Sequence, residues 1–420
     1  MRLSSVLFAI CIELITLKAV AAPSDTLKVL FIGNSYTYVN DMPGILSQMA
    51  LSTNDVIQTA SSTPGGYTLQ LHSTNSTTLN AIAAGVWDYT VLQEQSQLPA
   101  LQDSIVETDV YPYAYLLDSL IRDANPCTET VFYRTWGRKN GDSQNCPTWP
   151  PVCTYQGMDS LLHLRYRIMT DSFSAIMSPV GMVFRYIRLY NPSLELYDAD
   201  ESHPSPAGSY AAACSFYTTF LRKNPELITF DNGLNPTDAA FIRQAAKVVV
   251  YDNLSAWNIG KYDPMAAFDY SIDELTVSFQ NQSLRSFQFL WDFGDGNVSS
   301  ELNPVHTYAL AGNYLVKLVS SVCKVYDSTF ATVSLQPNSI YQVQRNLVEV
   351  SQNSDYITLK IPKQIKEVQL FDGLGRLLGN WNKPAGDLII SKAFLPKGLI
   401  VFAIQLVDDQ YKICKVLVRH

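Results

Sequence analysis

Short apolar runs recur along the first 260 residues. Leu27-Lys-Val-Leu-Phe-Ile32, Tyr89-Thr-Val-Leu-Gln93, Thr130-Val-Phe-Tyr133 and Val180-Gly-Met-Val-Phe184 are rich in β-branched and aromatic residues, and each predicts a strand. The stretches between them are longer. Residues 43–51, 104–123 and 156–177 predict helices, the last with Leu161, Leu164, Ile168 and Ile176 near a 3.6-residue repeat. Strands alternating with helices predict an α/β domain over residues 26–262, a three-layer αβα sandwich on a mostly parallel sheet. In such sheets sites gather at the carboxyl ends of the strands.

After about residue 264 the pattern shortens. Leu275-Thr-Val-Ser-Phe279, Gln288-Phe-Leu-Trp291, Tyr314-Leu-Val-Lys-Leu-Val319 and Phe330-Ala-Thr-Val-Ser-Leu335 predict brief strands divided by turns, the mark of a β-sandwich over residues 264–336. A second all-β block follows at 342–420. No repeat of fixed period is evident.

Composition narrows the partners. The 420 residues are 47% hydrophobic, enough for more than one core. A net charge of -8 with 16% charged residues offers no basic footprint for nucleic acid and no polybasic patch for lipid. Residues 1–22 place Arg2 before an apolar stretch that ends in Ala19 and Ala21, which predicts a signal peptide and export; an internal anchor, with Glu13 inside the stretch, is the alternative. No later segment is apolar enough to predict a stable membrane span. Beyond Cys11, Cys146 and Cys153 flank the loop CPTWPPVC and could close it in an oxidising compartment. Cys127, Cys214, Cys323 and Cys414 are scattered, and buried free thiols are as good a reading of them as disulfides. No C-x-x-C pair suggests a metal, and no cofactor is expected.

Chemistry concentrates in two places. Phe31-Ile-Gly-Asn-Ser-Tyr-Thr-Tyr38 puts Ser35 just past a strand, where it is either a turn residue or a nucleophile. Tyr197-Asp-Ala-Asp-Glu-Ser-His-Pro-Ser205 puts Asp200 three residues before His203, and Ser205-Pro206 predicts an N-cap and first helical residue that steady the loop. A carboxylate so placed reaches the imidazole nitrogen facing away from a nucleophile and fixes its tautomer. Of the five histidines (His72, His163, His203, His306 and His420), only His203 has such a setting. Ser62-Thr-Pro-Gly-Gly-Tyr-Thr-Leu69 carries paired glycines that let backbone N–H approach an oxyanion. The strand after Trp87 runs into Gln93, Gln95 and Gln97, three amides able to donate. Together these form the parts list of acyl transfer.

Those blocks resemble the SGNH (GDSL-like) hydrolases, in the branch whose first block reads GNSYT, over about residues 26–260. The resemblance implies Ser35 as nucleophile, His203 as base, Asp200 as its orienter, and the N–H groups of Ser35 and Gly66 as oxyanion donors. In place of the superfamily's G-x-N-D stands Leu92-Gln-Glu-Gln-Ser-Gln97, where Gln97 holds the Asn position and Gln95 or Gln93 are the other candidate donors. Trp291-Asp-Phe-Gly-Asp-Gly296 with Asn303-Pro-Val-His-Thr-Tyr308 resembles a PKD domain and assigns His306 to a structural motif. Val368-Gln-Leu-Phe-Asp-Gly-Leu-Gly-Arg376 and the blocks after it resemble the C-terminal sorting domain of type IX secretion in Bacteroidota, which implies the type IX machinery as a partner. The whole implies a secreted or surface-attached serine esterase acting on ester-bearing small molecules or polysaccharides, acetylated carbohydrate above all. Trp136, Trp149 and Tyr155 are candidate sugar-stacking aromatics. A lipase or thioesterase on the same residues, or an inactive surface adhesin, are the alternatives.

Overall fold

The computed structural model describes residues 26–336 and, between 349 and 418, all but 354, 361–364, 374, 383–385, 397 and 407–410. The expected signal peptide lies outside the described residues. β1 (Leu27–Ile32), β2 (Ile57–Ser62), β3 (Tyr89–Leu92), β4 (Glu129–Tyr133) and β5 (Ile176–Ser178) form one sheet in the order β2-β1-β3-β4-β5. Every pairing is parallel. The last four residues of β1, β3 and β4 include runs buried without a break, as a sheet covered on both faces requires.

The helices are α1 (Ser35–Tyr38), α2 (Met42–Leu51), α3 (Leu69–His72), α4 (Ser76–Ala83), α5 (Asp103–Asp109), α6 (Tyr111–Ala124), α7 (Tyr155–Ser172), α8 (Val180–Tyr190), α9 (Pro206–Leu221) and α10 (Pro236–Val249). In α9 nearly every residue is buried, and its small Ala and Ser side chains let it lie close to the sheet. Phe216 packs edge-on to Phe31 of β1 at 5.2 Å between centroids, and burying a ring of that size stabilises the fold by about 1.5–3 kcal/mol.

Three elements differ from the sequence expectation. Val180–Phe184 is helical: Val180, Val183, Phe184 and Ile187 are buried at i, i+3, i+4 and i+7, a helical stripe that overrides local β propensity. The strand lies just before it, at Ile176–Ser178, because α7 stops at Ser172 and Ser174 adopts a positive φ of 51°. The helix expected at 104–123 is broken at Val110, where Pro112 supplies no N–H to continue the ladder. β2 gave no apolar signal because it is an edge strand of sequence IQTASS, with only its two end residues buried.

From Phe268 onward the described sheets are antiparallel. β6 (Phe268–Asp273), β7 (Thr276–Asn281) and β10 (Val305–Thr307) form one sheet, and β8 (Gln288–Asp292), β9 (Val298–Ser299), β11 (Gly312–Val322) and β12 (Val325–Leu335) the other. Val277, Phe279, Trp291, Phe293, Tyr308 and Val316 fill the space between. Two more antiparallel sheets occupy the last 70 residues around Ile357, Leu370, Phe402 and Ile404.

The turn between β11 and β12 carries Cys323, disulfide-bonded to Cys127 just before β4. Beside it Lys324 pairs with Asp88 at 2.7 Å. The state of Cys127 and Cys323 was open from the sequence; their pairing links positions 196 residues apart, which sequence spacing does not reveal. By loop entropy such a link stabilises the folded state by about 5 kcal/mol. It sits at the amino ends of the strands. The Cys146–Cys153 bridge is also formed, and Cys214 is a buried free thiol.

Candidate active site

Strand order reverses between β1 and β3, so the crevice of this sheet opens beyond Ile32 and Leu92. There the chain turns from β1 through Gly33-Asn34 into α1. Asn34 caps α1, its Oδ1 accepting from Tyr36 N–H at 3.2 Å. Ser35 is the first helical residue, so its N–H has no intrahelical carbonyl to meet. Gly33 is dictated by crowding: a β-carbon there would stand 2.5 Å from Gln93 Oε1 and 2.7 Å from Thr37 Oγ1.

The base arrives on the loop before α9. Ser205 caps α9 through Gly208 N–H and Pro206 is its first residue, as expected. Asp200 Oδ1 accepts from the N–H groups of Ser202 (3.0 Å) and His203 (2.9 Å), while its Oδ2 accepts from His203 Nδ1. With Nδ1 donating, Nε2 is the acceptor, and Ser35 Oγ donates to it at 2.8 Å. Residues 168 apart in the chain thus form a Ser-His-Asp line. Desolvation raises the Asp200 pKa, but the bonds from the His203 ring and the two backbone amides outweigh it and hold the carboxyl below its ordinary range.

Three contacts fix the two loops together. Asn40, at a left-handed φ of 56°, donates through Nδ2 to Pro204 O and Ser209 Oγ, both at 3.0 Å. Tyr36 Oη and Ser202 Oγ are hydrogen-bonded at 2.6 Å, and Trp136 Nε1 donates to Ser202 O at 3.0 Å. Tyr36 stacks on Trp136 at 4.7 Å, Trp136 on Phe184 at 4.1 Å, and Tyr36 meets the His203 ring edge-on. Trp136 is fully buried, Tyr155 nearly so, and Trp149 half-buried with its Nε1 donating to Ala100 O. Two of the three candidate sugar-stacking aromatics are therefore packing residues, and the third is pinned to the fold.

The glutamines take different roles. Gln93 is fully buried and grips the nucleophile turn: Oε1 accepts from Asn34 N–H (2.8 Å) and Thr37 Oγ1 (2.9 Å), and Nε2 donates to Asn34 Oδ1 (2.9 Å) and Glu94 O (2.6 Å). Both amide hydrogens are engaged, so Gln93 has none for a substrate oxygen, contrary to its candidacy as an oxyanion donor. Gln95 Oε1 accepts from Gln97 and Leu98 N–H, which shapes its own loop, and its Nε2 reaches Ser96 Oγ only at 3.4 Å. Gln97 keeps a buried side-chain oxygen without a partner. Of the three it is the amide least tied to the fold.

The glycine loop is a turn, with Tyr67 N–H donating to Pro64 O and Gly66 at φ 72°. Nothing lies within 4 Å of where a Gly66 β-carbon would be, so its backbone faces open space. Asn34 Nδ2 holds this loop through Tyr67 O at 2.9 Å. His72, which no motif flagged, is buried with Nε2 donating to Gly33 O (2.8 Å) and Nδ1 bonded to Thr78 Oγ1 (2.8 Å); burial lowers its pKa against the bond to Gly33 O. Glu94, fully buried, accepts from Leu69 and Gln95 N–H. Burial pushes its pKa up to about 8 against the pull of those two amides. The sequence reading singled out the glutamines around it and not Glu94 itself, which only the tertiary fold encloses. His163 sits on α7 beside Trp257, away from Ser35's hydrogen bonds. Among the described residues no group of three or more His, Cys, Asp or Glu is arranged to hold a metal, and no helix is long and apolar enough to cross a membrane.

Residues 266–328 match the PKD domain family model. Among curated relatives, the pre-pro-metalloprotease PrtV of Vibrio cholerae is 33% identical over 93 residues, 21% of this chain and 10% of that protein. Collagenase ColQ1 of Bacillus cereus is 41% identical over 59 residues, 14% of this chain and 6% of that protein. The chain thus spans about a tenth or less of these relatives. Among solved structures, a DUF4886 family protein from Bacteroides uniformis aligns over 55% of this chain and 97% of its own at 18% identity and a TM-score of 0.47. A variant of an acetyl-xylooligosaccharide esterase from Geobacillus aligns over 46% and 94% at 18% identity and a TM-score of 0.33.

Proposed function

We propose that the chain is an exported serine esterase. The observation that carries this reading is the Ser35 Oγ to His203 Nε2 to Asp200 line at the switch point of the parallel sheet. Ser35 attacks an ester carbonyl while His203 Nε2 takes its proton; the carbonyl π electrons move to oxygen, and the Ser35 and Gly66 N–H groups with the Gln97 amide stabilise the oxyanion. Collapse of the adduct expels the alcohol, which receives the proton from His203. Water then attacks the acyl-serine by the same route, and the acid leaves. Asp200 steadies the imidazolium in both halves.

Short acyl groups on carbohydrate are the favoured substrates. Asp200 and His203 side chains are 50% and 35% exposed, so the site is open, and a bulky alcohol reaches it without threading a channel. Two disulfides fit an oxidising compartment, in line with a signal peptide and a type IX sorting domain at the two ends.

The test is hydrolysis of p-nitrophenyl acetate, a longer acyl ester and acetylated xylan by the full chain and by Ser35→Ala. Turnover that falls by about three or more orders of magnitude in the variant is expected. Equal activity in the two proteins, or none in the unmutated chain, removes the reading; preference for the long acyl chain transfers it to the lipase class.

A further inference from the structure

With Trp136, Trp149 and Tyr155 packed into the fold, the sugar-binding surface has to come from elsewhere. α1 shows where. Its inner residues, Tyr36 and Thr37, are buried, while Ser35 and Tyr38 turn outward from one helical face at i and i+3. Tyr38 is 49% exposed in a domain whose aromatics are otherwise mostly interior. Its Oη lies 3.4 Å from the point a Gly65 β-carbon would occupy, so the ring leans from the nucleophile helix toward the glycine loop. Next to that contact, Gly66 faces open space. Ser35 and Tyr38 thus share one outward face of α1, and the tip of the Tyr38 ring reaches the glycine loop beside the open Gly66 position.

From this geometry, and resting on the esterase reading above, we propose that Tyr38 is the specificity residue of the site, a platform for the pyranose ring that carries the scissile O-acyl group. The spacing fits. A sugar ester has its carbonyl carbon two bonds from a ring carbon, so the nucleophile and the surface that holds the ring must stand about 5–6 Å apart, which is the separation of i and i+3 β-carbons on a helix. The apolar C–H face of a pyranose packs on an aromatic ring, and the phenol hydroxyl at the ring's tip remains available to sugar hydroxyls. An acyl chain bound on Tyr38 instead would place the alcohol on the opposite side of Ser35, and it would make the ring a reader of acyl length.

The experiment compares kcat/KM of the full-length protein and two variants, Tyr38→Ala and Tyr38→Phe, on acetylated xylobiose, ethyl acetate and ethyl butanoate. The ratio of xylobiose ester to ethyl acetate is expected to fall about five- to tenfold in Tyr38→Ala, mainly through KM, and to be restored in Tyr38→Phe. An unchanged ratio overturns the platform and leaves the esterase intact. A change in the butanoate to acetate ratio in its place overturns it in favour of acyl recognition. If the unmutated protein hydrolyses none of the three, the esterase reading falls and the platform with it.

Discussion

Among the described residues, two histidine–aspartate pairs lie in domains of different architecture. His203 meets Asp200 in the α/β domain, and His306 Nε2 meets Asp295 Oδ2 at 2.8 Å in the β-sandwich. In both, hydrogen bonds hold the aspartate carboxyl below its ordinary range against the opposing effect of desolvation. The surroundings differ. The His306 ring lies flat on Phe293 at 4.2 Å and edge-on to Tyr308 at 4.5 Å, with side-chain exposures of 14% and 16% for the pair. The His203 pair is two to three times as exposed, and its Nε2 receives a serine hydroxyl. A histidine–aspartate pair is thus a structural unit that serves packing or catalysis according to what its second ring nitrogen and its ring faces meet. In the first case the pair rigidifies a turn; in the second it organises a proton transfer.

The strongest way to break this comparison is to remove each ring. His203→Ala should lower ester turnover by about 10³–10⁶-fold with little change in thermal unfolding. His306→Ala should leave turnover unchanged and destabilise the sandwich by about 1–3 kcal/mol, through lost stacking and the lost bond to Asp295. Kinetics and calorimetry on the two variants check this. Turnover lost with His306 and kept without His203 would invert the assignment.

A finer test separates the pair from the scaffold that aims Ser35. Gln93→Leu keeps the side-chain volume but leaves Asn34 N–H and Thr37 Oγ1 without their acceptor. A small displacement of the nucleophile is costly, so kcat should fall about 10- to 100-fold with KM within about twofold. An unchanged kcat would mean that the Gln93 grip has no part in aiming Ser35. The sandwich pair is held instead by aromatic rings on His306 and by Asn297, whose N–H and Nδ2 donate to Asp295.

How much of this could be read from sequence follows the same division. β1, β3 and β4 were legible because strands buried on both faces are apolar throughout, whereas β2, a polar edge, was not. Val180–Phe184 misled because five residues do not distinguish a strand from a helix; the stripe becomes visible only when Ile187 is included. Ser35, Asp200 and His203 stood out because short-range spacing carries their chemistry. The direction in which an amide points does not follow from spacing. Gln93, Gln95 and Gln97 look alike in the chain, and only the position of Asn34 turns the first of them into a clamp. His72 and Asn40 were silent for the same reason, because their partners, Gly33 O and Pro204 O, are brought to them by the fold.

A third carboxylate, Glu94, sharpens the contrast with Asp200, and its effect is on stability alone. Asp200 is half exposed, meets three N–H donors and stays ionised. Glu94 is fully buried with two backbone donors and no cation in contact, and desolvation wins. Its pKa rises from the ordinary 4.5 to about 8 on folding, so between those values the unfolded chain is ionised while the folded one holds the proton. Its contribution to stability is therefore complete below about pH 4.5 and disappears as pH climbs to about 8. Glu94→Gln has no proton to lose. The melting temperature of the α/β domain in this variant, measured against that of the unmutated chain, should gain about 7–14 °C on going from pH 5 to pH 8. Parallel melting curves across that window would mean that Glu94 is ionised in the folded state, and that the two carboxylates of this site differ less than their burial implies.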